Sequence, residues 1–484
     1  MNIIYKLFNK YSELSIQIKA TLWFMLCLFL QKGISFITTP VFTRIMNPSE
    51  FGAYNVWLSW FCVASVLVSL NLFCGVYTSG IIKFSEDRKN YSQSLVSLNL
   101  TLCILWLIIY LIFSEHIDAL LGCTNAQMML MIFLIWTSSI YSFWASEQRV
   151  ALKYKHMVFV TLLLSVSKPI VCLFFVLNSN DKVTARIIGV GITEAIICTP
   201  LILHYLRKDY SFFNFKYWKY ALFFNIPLIP HYLSQVIITN SDRIMISYFD
   251  GNKAAGIYSL GASVSQVVSV FCTAFFMSVE PWLYKKLNNN DLNNISNIVN
   301  TIVAIIAILN FMLIIMAPEA VKIFAPSDFY DAIWLIPALA CSSFFMFQYT
   351  LYAVFEMFFK QTHLIALATF ICATINIAGN YLFIPKFGYQ TAAYTSLVSY
   401  IASSFIHYFF MRKICIKNFG ICVVNIRSSV LLSVILLVLS AISISFYSHI
   451  SIRYLLFFAL CFVLIFQRNK FIGLKKIVLS RFYT

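Results

Sequence analysis

The chain has 484 residues, of which 61% are hydrophobic and 11% are charged, and its formal net charge is +17. Soluble globular domains carry about 25% charged residues, so this composition excludes an ordinary water-soluble fold. The thirteen cysteines are scattered without a Cys-x-x-Cys pair, and no phosphate-binding loop, zinc pattern or nucleophile elbow occurs. These observations argue against a disulfide-rich protein, a metal-dependent enzyme and a hydrolase, and they predict no cofactor.

Apolar stretches long enough to cross a bilayer recur along the whole chain. A hydrocarbon core of about 30 Å requires roughly 20 apolar residues in helical form, because no water satisfies the backbone there. We predict an all-α polytopic membrane protein, and the first stretch is predicted to be a retained helix and not a cleaved signal peptide. In chain order the fourteen predicted spans are about 18–41, 54–82, 95–113, 128–148, 157–177, 185–206, 221–241, 254–282, 297–317, 332–357, 363–384, 389–411, 427–447 and 452–466.

The basic residues predict the orientation. With the N-terminus in the cytoplasm, 25 of the 35 Lys and Arg residues fall in cytoplasmic segments and 8 in outer loops. This bias follows the positive-inside rule and explains most of the positive charge without a nucleic-acid partner. An even number of spans then places both termini in the cytoplasm.

A weak internal repeat suggests two halves. Phe51-Gly52-Ala53-Tyr54 opens the second span and Ala255-Gly256-Ile257-Tyr258 opens the eighth. Six spans separate the two motifs, so the halves would be parallel repeats. We therefore predict six-helix lobes over 1–210 and 211–413, followed by two extra helices and a basic cytoplasmic tail over 414–484.

Charged residues inside predicted spans are candidate functional residues, because a charge at mid-membrane is costly and usually faces a cavity or a partner. Lys32 lies about 21 Å along the first span at 1.5 Å per residue, with no acid near it in the sequence. We predict that it lines a cavity; the alternative is a pair with an acid from another helix. Lys168 and Glu194 lie mid-span in helices five and six, where they either pair or leave Lys168 as a second cavity cation.

Five further charges lie near predicted helix ends. Asp242 and Arg243 are adjacent at the outer end of the seventh span, where one can pair locally while the other faces a cavity; a surface contact is the alternative. Arg44 lies at the outer end of the first span and is either a binding residue or a solvated charge. Glu280 and Glu356, near cytoplasmic helix ends, are expected to be solvated or paired.

An ordered set of short motifs carries a family resemblance over about residues 18–411. The chain resembles polysaccharide exporters, in particular O-antigen flippases of the multidrug/oligosaccharidyl-lipid/polysaccharide exporter superfamily. The stretches that carry the likeness are TPVFTR at 39–44, PSEFG at 48–52, IPLIPHY at 226–232, SDRIMI at 241–246, AGIYS at 255–259, Glu280-Pro281, Asn376-Ile377, Asn380-Tyr381, IPKFG at 384–388 and Ala392-Ala393.

The resemblance implies two six-helix lobes around a central cavity in a bacterial inner membrane, and transport instead of enzymatic chemistry. It implies a substrate made of an oligosaccharide on undecaprenyl pyrophosphate, with a polysaccharide polymerase as a further candidate partner. Lys32, with Lys168 and Arg243, would supply a positive field for the pyrophosphate. The alternatives are a cation-coupled drug exporter of the same fold, a peptidoglycan-precursor flippase and a membrane glycosyltransferase or polymerase; the short outer loops argue against the last of these.

Overall fold

The computed structural model describes residues 16–206 and 213–466, and within these residues the protein is entirely helical. The predicted basic tail and the chain before residue 16 lie outside the described residues. By Cα packing the chain separates into two compact units, Met1–Met46 with Ala53–Asn240, and Asn47–Gly52 with Ser241–Thr484. The predicted lobe boundary at residue 210 stays a prediction.

Helices α1 to α9 belong to the first unit, except for the first turn of α2. Their bounds are α1 Ile16–Ile45, α2 Pro48–Ser69, α3 Gly75–Lys83, α4 Arg88–Ile112, α5 Ser114–Leu121, α6 Asn125–Val150, α7 Tyr154–Leu177, α8 Lys182–Tyr205 and α9 Phe215–Asn225. A 3-10 turn at Ile226–Leu228 leads into α10, Ile229–Ser265, which changes unit at residue 241.

The second unit contains the rest of α10 and eight further helices. These are α11 Val267–Asn288, α12 Ile295–Ile315, α13 Ala317–Phe324, α14 Ile336–Phe358, α15 Thr362–Phe387, α16 Thr391–Phe419, α17 Ile426–Ile444 and α18 Ile450–Phe466, with a 3-10 segment at Ser327–Trp334. Gly251, at φ 85° and ψ 171°, interrupts α10, so the seventh predicted span ends before it and the eighth begins after it.

The predicted all-helical membrane architecture is confirmed. Each of the fourteen predicted spans overlaps one or more of these helices. Twelve of the described helices are long and apolar enough to cross a membrane. The 29-residue α16 carries more polar residues and the 17-residue α18 is shorter, so fourteen is an approximate number of spans.

The PSEFG motif begins α2 for a local reason. The Asn47 side chain accepts a hydrogen bond from the Glu50 backbone N–H at 2.9 Å, and the Glu50 carboxylate accepts one from the Asn47 N–H at 2.8 Å. This reciprocal pair satisfies two N–H groups that a helix start leaves open. Pro48 occupies the first helical position, where its missing N–H is not needed.

The two repeat glycines pack directly against each other within the second unit. A Cβ added to Gly52 would lie 2.7 Å from Gly256 N and closer still to the Asn252 carbonyl oxygen. A Cβ on Gly256 would overlap the Pro48 carbonyl oxygen. Only glycine at these two positions permits such a close approach. At Gly388, by contrast, the backbone φ of +81° is what favours glycine.

Candidate functional site

The candidate site is a charged cluster inside the first unit. Lys168 on α7 and Glu194 on α8 form an ion pair, with Nζ and Oε1 2.6 Å apart. The second carboxylate oxygen of Glu194 accepts a hydrogen bond from the Thr137 hydroxyl on α6 at 2.6 Å. The sequence left open whether these two charges pair, and the structure shows that they do.

Close helix packing brings the ion pair together. A Cβ on Gly189 of α8 would lie 2.6 Å from the Cα of Cys172 on α7, so only glycine permits this approach. Cys172 lies one turn beyond Lys168 on α7, and Gly189 lies five residues before Glu194 on α8. The two helices therefore lie in close contact about one turn from the charged pair.

A polar cavity of about 160 Å³ borders the pair. The Lys168 side chain keeps 33% of its surface exposed, whereas Glu194 keeps 8%. The Lys168 side chain is thus partly exposed and Glu194 is nearly buried, and both residues lie on the cavity wall. The cavity wall is formed by Gln31, Ser138, Tyr141, Ser142, Leu164, Ser165, Lys168, Glu194 and Cys198.

A second cation of the first unit, Arg186 on α8, was not identified from the sequence. The Arg186 guanidinium lies between two aromatic rings, 3.9 Å from the Phe42 centroid and 3.8 Å from the Tyr54 centroid. Cation–π contacts of this kind hold a guanidinium without neutralising its charge. Arg186 lies about 12 Å along α8 from Glu194. The signal in the sequence was its place among apolar residues at the start of the sixth span.

The two predicted cations of α1 lie at different depths. Lys32 is near the middle of this helix and its side chain is exposed on the first unit. Its neighbour Gln31 lies on the cavity wall, and consecutive helical residues point about 100° apart. Arg44 donates to the Pro40 carbonyl at 2.8 Å, and Lys182 donates to the Ile45 carbonyl at 2.8 Å. The bond from Lys182 satisfies a carbonyl that the C-terminus of α1 leaves open.

Asp242 is the centre of a buried network in the second unit. Only 4% of the residue is exposed. One oxygen accepts from the side-chain amides of Asn376 at 3.1 Å and Asn380 at 2.7 Å; the other accepts from the Tyr258 hydroxyl and from the Ser396 hydroxyl at 2.6 Å. Both carboxylate oxygens of Asp242 are therefore occupied by two donors each.

The Asp242 network explains two of the family-like motifs. SDRIMI supplies the carboxylate, and the two asparagines of α15 supply the amide donors that bind it. Arg243 is half-buried and lies close enough to Tyr258 to interact with it electrostatically. The structure therefore places Asp242 in helix packing, while Arg243 stays partly accessible.

The two clusters differ in what they can do. The first unit has a partly exposed Lys168 side chain on the wall of a cavity, where it is paired with Glu194. The second offers a carboxylate whose oxygens are already occupied by donors. Among the described residues no group of three or more His, Cys, Asp or Glu side chains is placed to hold a metal ion.

Comparison with solved structures shows which fold this is. The chain is similar to the Lipid II flippase MurJ in an inward closed conformation, with a TM-score of 0.67 and 16% identity over 92% of this chain and 98% of that chain. It is also similar to an inward-facing multidrug resistance MATE family transporter of the MOP superfamily, with a TM-score of 0.58 and 12% identity over 81% and 96%. The predicted likeness in fold to these transporters is confirmed.

Two curated proteins of Haemophilus influenzae match part of the chain. A protein of the Lsg locus is 24% identical over 54% of this chain and 64% of its own length, and an uncharacterized membrane protein is 23% identical over 45% and 53%. These matches span less than two thirds of either relative. The model of the polysaccharide biosynthesis protein family matches residues 18–285. Because this match covers more than half of the 484 residues, the chain belongs to the polysaccharide biosynthesis protein family.

Proposed function

We propose that this protein flips a polyprenyl-pyrophosphate-linked oligosaccharide from the cytoplasmic to the outer leaflet by alternating access. The observation that carries the proposal is the partly exposed Lys168 side chain, which lies on a cavity wall beside Glu194 within a chain of the polysaccharide biosynthesis family. The substrate's pyrophosphate must cross about 30 Å of hydrocarbon. A cation in a hydrated cavity lowers the free energy of that transfer because it replaces part of the lost hydration.

Glu194 gives Lys168 a partner when no substrate is bound. An unpaired ammonium at mid-membrane would be destabilising, and the carboxylate removes that destabilisation. A phosphate that enters the cavity competes with Glu194 for the same ammonium. The ion pair therefore serves as an exchangeable contact, and Lys168 is the binding group.

The other predicted charged residues are assigned different roles in the proposed transport. Lys32 and the half-buried Arg243 extend the positive field for the anionic head. Arg44 and Asp242 bind protein groups in this structure, so we assign them positioning roles. The protein is proposed to lie in the bacterial inner membrane with both termini cytoplasmic and to act without making or breaking covalent bonds.

Two alternatives share the fold. A cation-coupled small-molecule exporter is favoured by the likeness to the MATE transporter, but it requires an acid that can bind a cation, and Glu194 is held by Lys168 and Thr137. A peptidoglycan-precursor flippase is favoured by the likeness to the Lipid II flippase. It would carry the same lipid pyrophosphate, so complementation of a strain that lacks its own such flippase distinguishes it.

The ion pair provides the test of the proposal. We expect Lys168→Ala to reduce export strongly and to lower the amount of folded protein, because it leaves Glu194 without its cation. The double variant Lys168→Met/Glu194→Gln should restore folded protein but not export, because both charges are gone. Export is measured in a deletion strain as surface polysaccharide, together with lipid-linked oligosaccharide retained at the cytoplasmic face. Wild-type export by the double variant would overturn the role of Lys168.

Lys32 is tested by a charge series at one position. Lys32→Ala should reduce export while the protein remains inserted, since loss of an exposed mid-membrane charge need not destabilise the fold. Lys32→Arg should retain much of the activity, because the charge matters more here than the geometry of the donors. Lys32→Glu should be the least active, because it places a negative charge beside an anionic head. Equal export by all three variants at matched expression would remove Lys32 from the translocation path.

A further inference from the structure

The second unit contains a buried pair of titratable side chains that the proposed transport path does not use. Glu356 on α14 is 0% exposed and His407 on α16 is 1% exposed at the side chain. The carboxylate Oε1 and the imidazole Nδ1 are 2.8 Å apart. The Tyr349 ring stacks on the imidazole, with centroids 5.2 Å apart and an interplanar angle of 23°.

The contacts of this pair leave one acceptor unused. The second carboxylate oxygen of Glu356, Oε2, is buried without a hydrogen-bond partner among the described residues. Asp242, by contrast, has donors on both oxygens. A buried carboxylate oxygen without a donor is costly as long as the group carries a full negative charge.

The net charge of the pair depends on a single proton. With one proton shared between the carboxylate and the imidazole, the pair is neutral overall. If that proton leaves for water, a carboxylate and a neutral imidazole remain, with a net charge of −1. A net charge enclosed in an apolar environment is strongly disfavoured, so release of the proton requires water to reach the pair.

No other charge is seen to balance the pair within the described chain. The electrostatic partner of Glu356 is His407. The elements packed against α14 and α16 are α11, α12, α15, α17 and the 3-10 segment. Helix α12 has no titratable side chain, and α17 has only Arg427 at its start. The remaining titratable groups lie on α11, the 3-10 segment, α14, α15 and α16, and at position 360 between α14 and α15. They are Cys272, Glu280, Tyr284, Lys285, Lys286, Asp328, Tyr330, Asp331, Cys341, Tyr349, Tyr352, Lys360, His363, Cys372, Tyr381, Lys386, Tyr394, Tyr400, Tyr408, Arg412, Lys413, Cys415 and Lys417.

A cavity gives water a place beside the pair. It has a volume of about 90 Å³ and lies between α14, α16 and α17. Tyr352 on its wall is four residues before Glu356, and Ser404 is three residues before His407, so the cavity begins one helical turn from each. Gln348 and Ser433 on the same wall are hydrogen-bonded at 3.0 Å. The rest of the wall is mostly apolar, and at about 30 Å³ per molecule the cavity has room for a few waters beside these polar groups.

We propose that Glu356 and His407 form a proton-binding site in the second unit, with the adjacent cavity as its route to water. Glu356 lies two residues before the end of α14, on the side that the charge bias predicts to be cytoplasmic. The proton taken up neutralises the pair and holds α14 against α16. Its release to water leaves a net charge that favours separation of the two helices, so the packing of this unit depends on pH.

The experiment is an infrared titration of the purified full-length protein in nanodiscs of phosphatidylethanolamine and phosphatidylglycerol. Difference spectra are recorded between roughly pH 5 and pH 8, where histidine ordinarily changes charge. We expect a carboxyl band that is lost in Glu356→Gln and is lost or shifted in His407→Gln. Both amides keep a hydrogen-bonding group at the site, and each variant reports on the same pair if the other fails to fold.

Glu115→Gln is the matched control, because Glu115 is an exposed acid on α5 of the first unit. This variant should retain the Glu356 band in full. A wild-type spectrum without a band that depends on Glu356 would overturn the proposal, since the pair would then be a fixed contact between helices. A Glu356 band that is unchanged in His407→Gln would also overturn it, because the proton would belong to the carboxyl group alone.

Discussion

Replacing Gly256 by alanine is expected to abolish export and to reduce sharply the amount of folded protein. The new methyl group would overlap the Pro48 carbonyl oxygen, and Gly52 N lies only 3.1 Å from the same point. These obstacles are backbone atoms, which cannot rotate away as a side chain can. The helix start of α2 would have to move, and with it the reciprocal bonds of Asn47 and Glu50. Gly52→Ala should have the same effect because it meets Asn252 and Gly256.

The control for this prediction is Gly191→Ala. Gly191 is also a buried helical glycine, but a Cβ there meets Leu130 at an ordinary 3.6 Å. Its folded yield should match wild type, because alanine favours helix over glycine by about 1 kcal/mol. Folded protein is measured by size-exclusion profiles of detergent extracts and export by surface polysaccharide. A Gly256→Ala variant with the wild-type profile would show that the start of α2 and the part of α10 after Gly251 are not held in this contact.

Asp242→Ala is expected to cause the largest loss of stability among the charged positions. Four donors would lose their acceptor at once, from Tyr258, Asn376, Asn380 and Ser396. A buried donor without a partner costs about 1–3 kcal/mol. Several such losses are comparable with the entire stability of many proteins, about 5–15 kcal/mol. We therefore expect little monodisperse protein after extraction.

Asp250→Ala on the same helix is the matched control, since Asp250 is exposed near the interruption at Gly251. It should unfold at the wild-type temperature in a thermal ramp monitored by tryptophan fluorescence. Asp242→Asn should be intermediate, because an amide keeps one acceptor oxygen but opposes the other donors with its own N–H groups. An Asp242→Ala variant as stable as Asp250→Ala would contradict the packing role assigned to the network.

The fold followed from the sequence because its determinants are local. Apolar length fixes where a helix can span, and each span can be judged within a short stretch of sequence. The two motifs that contain Gly52 and Gly256 were also recognised, because they repeat at equivalent places in the two predicted halves. What the pattern did not show is that the two glycines contact each other, because residues separated by 204 positions carry no mark of their proximity.

The charged clusters were predicted less well, because a partner on another helix cannot be read from spacing. Lys168 and Glu194 were recognised as candidates for a pair, since both lie at similar depth. Glu356 was expected to be solvated or paired, and the paired alternative is confirmed. Its partner His407 was missed, although it stands among apolar residues of the predicted span 389–411, because the two residues lie on different helices. Arg186 was missed because its aromatic partners come from α1 and α2.

The connectivity of the polar contacts has a consequence for biogenesis. Lys168 and Glu194 lie on consecutive helices joined by only four residues, 178–181. Each charge alone makes insertion less favourable, by about 2.5–3.5 kcal/mol at a helix centre, but the two can enter the membrane as one hairpin with no net charge. Glu356 has no such neighbour, because α15 separates it from His407, and Asp242 must wait for α15 and α16. The second unit therefore keeps these polar groups unsatisfied in the membrane until α15 and α16 have been synthesised.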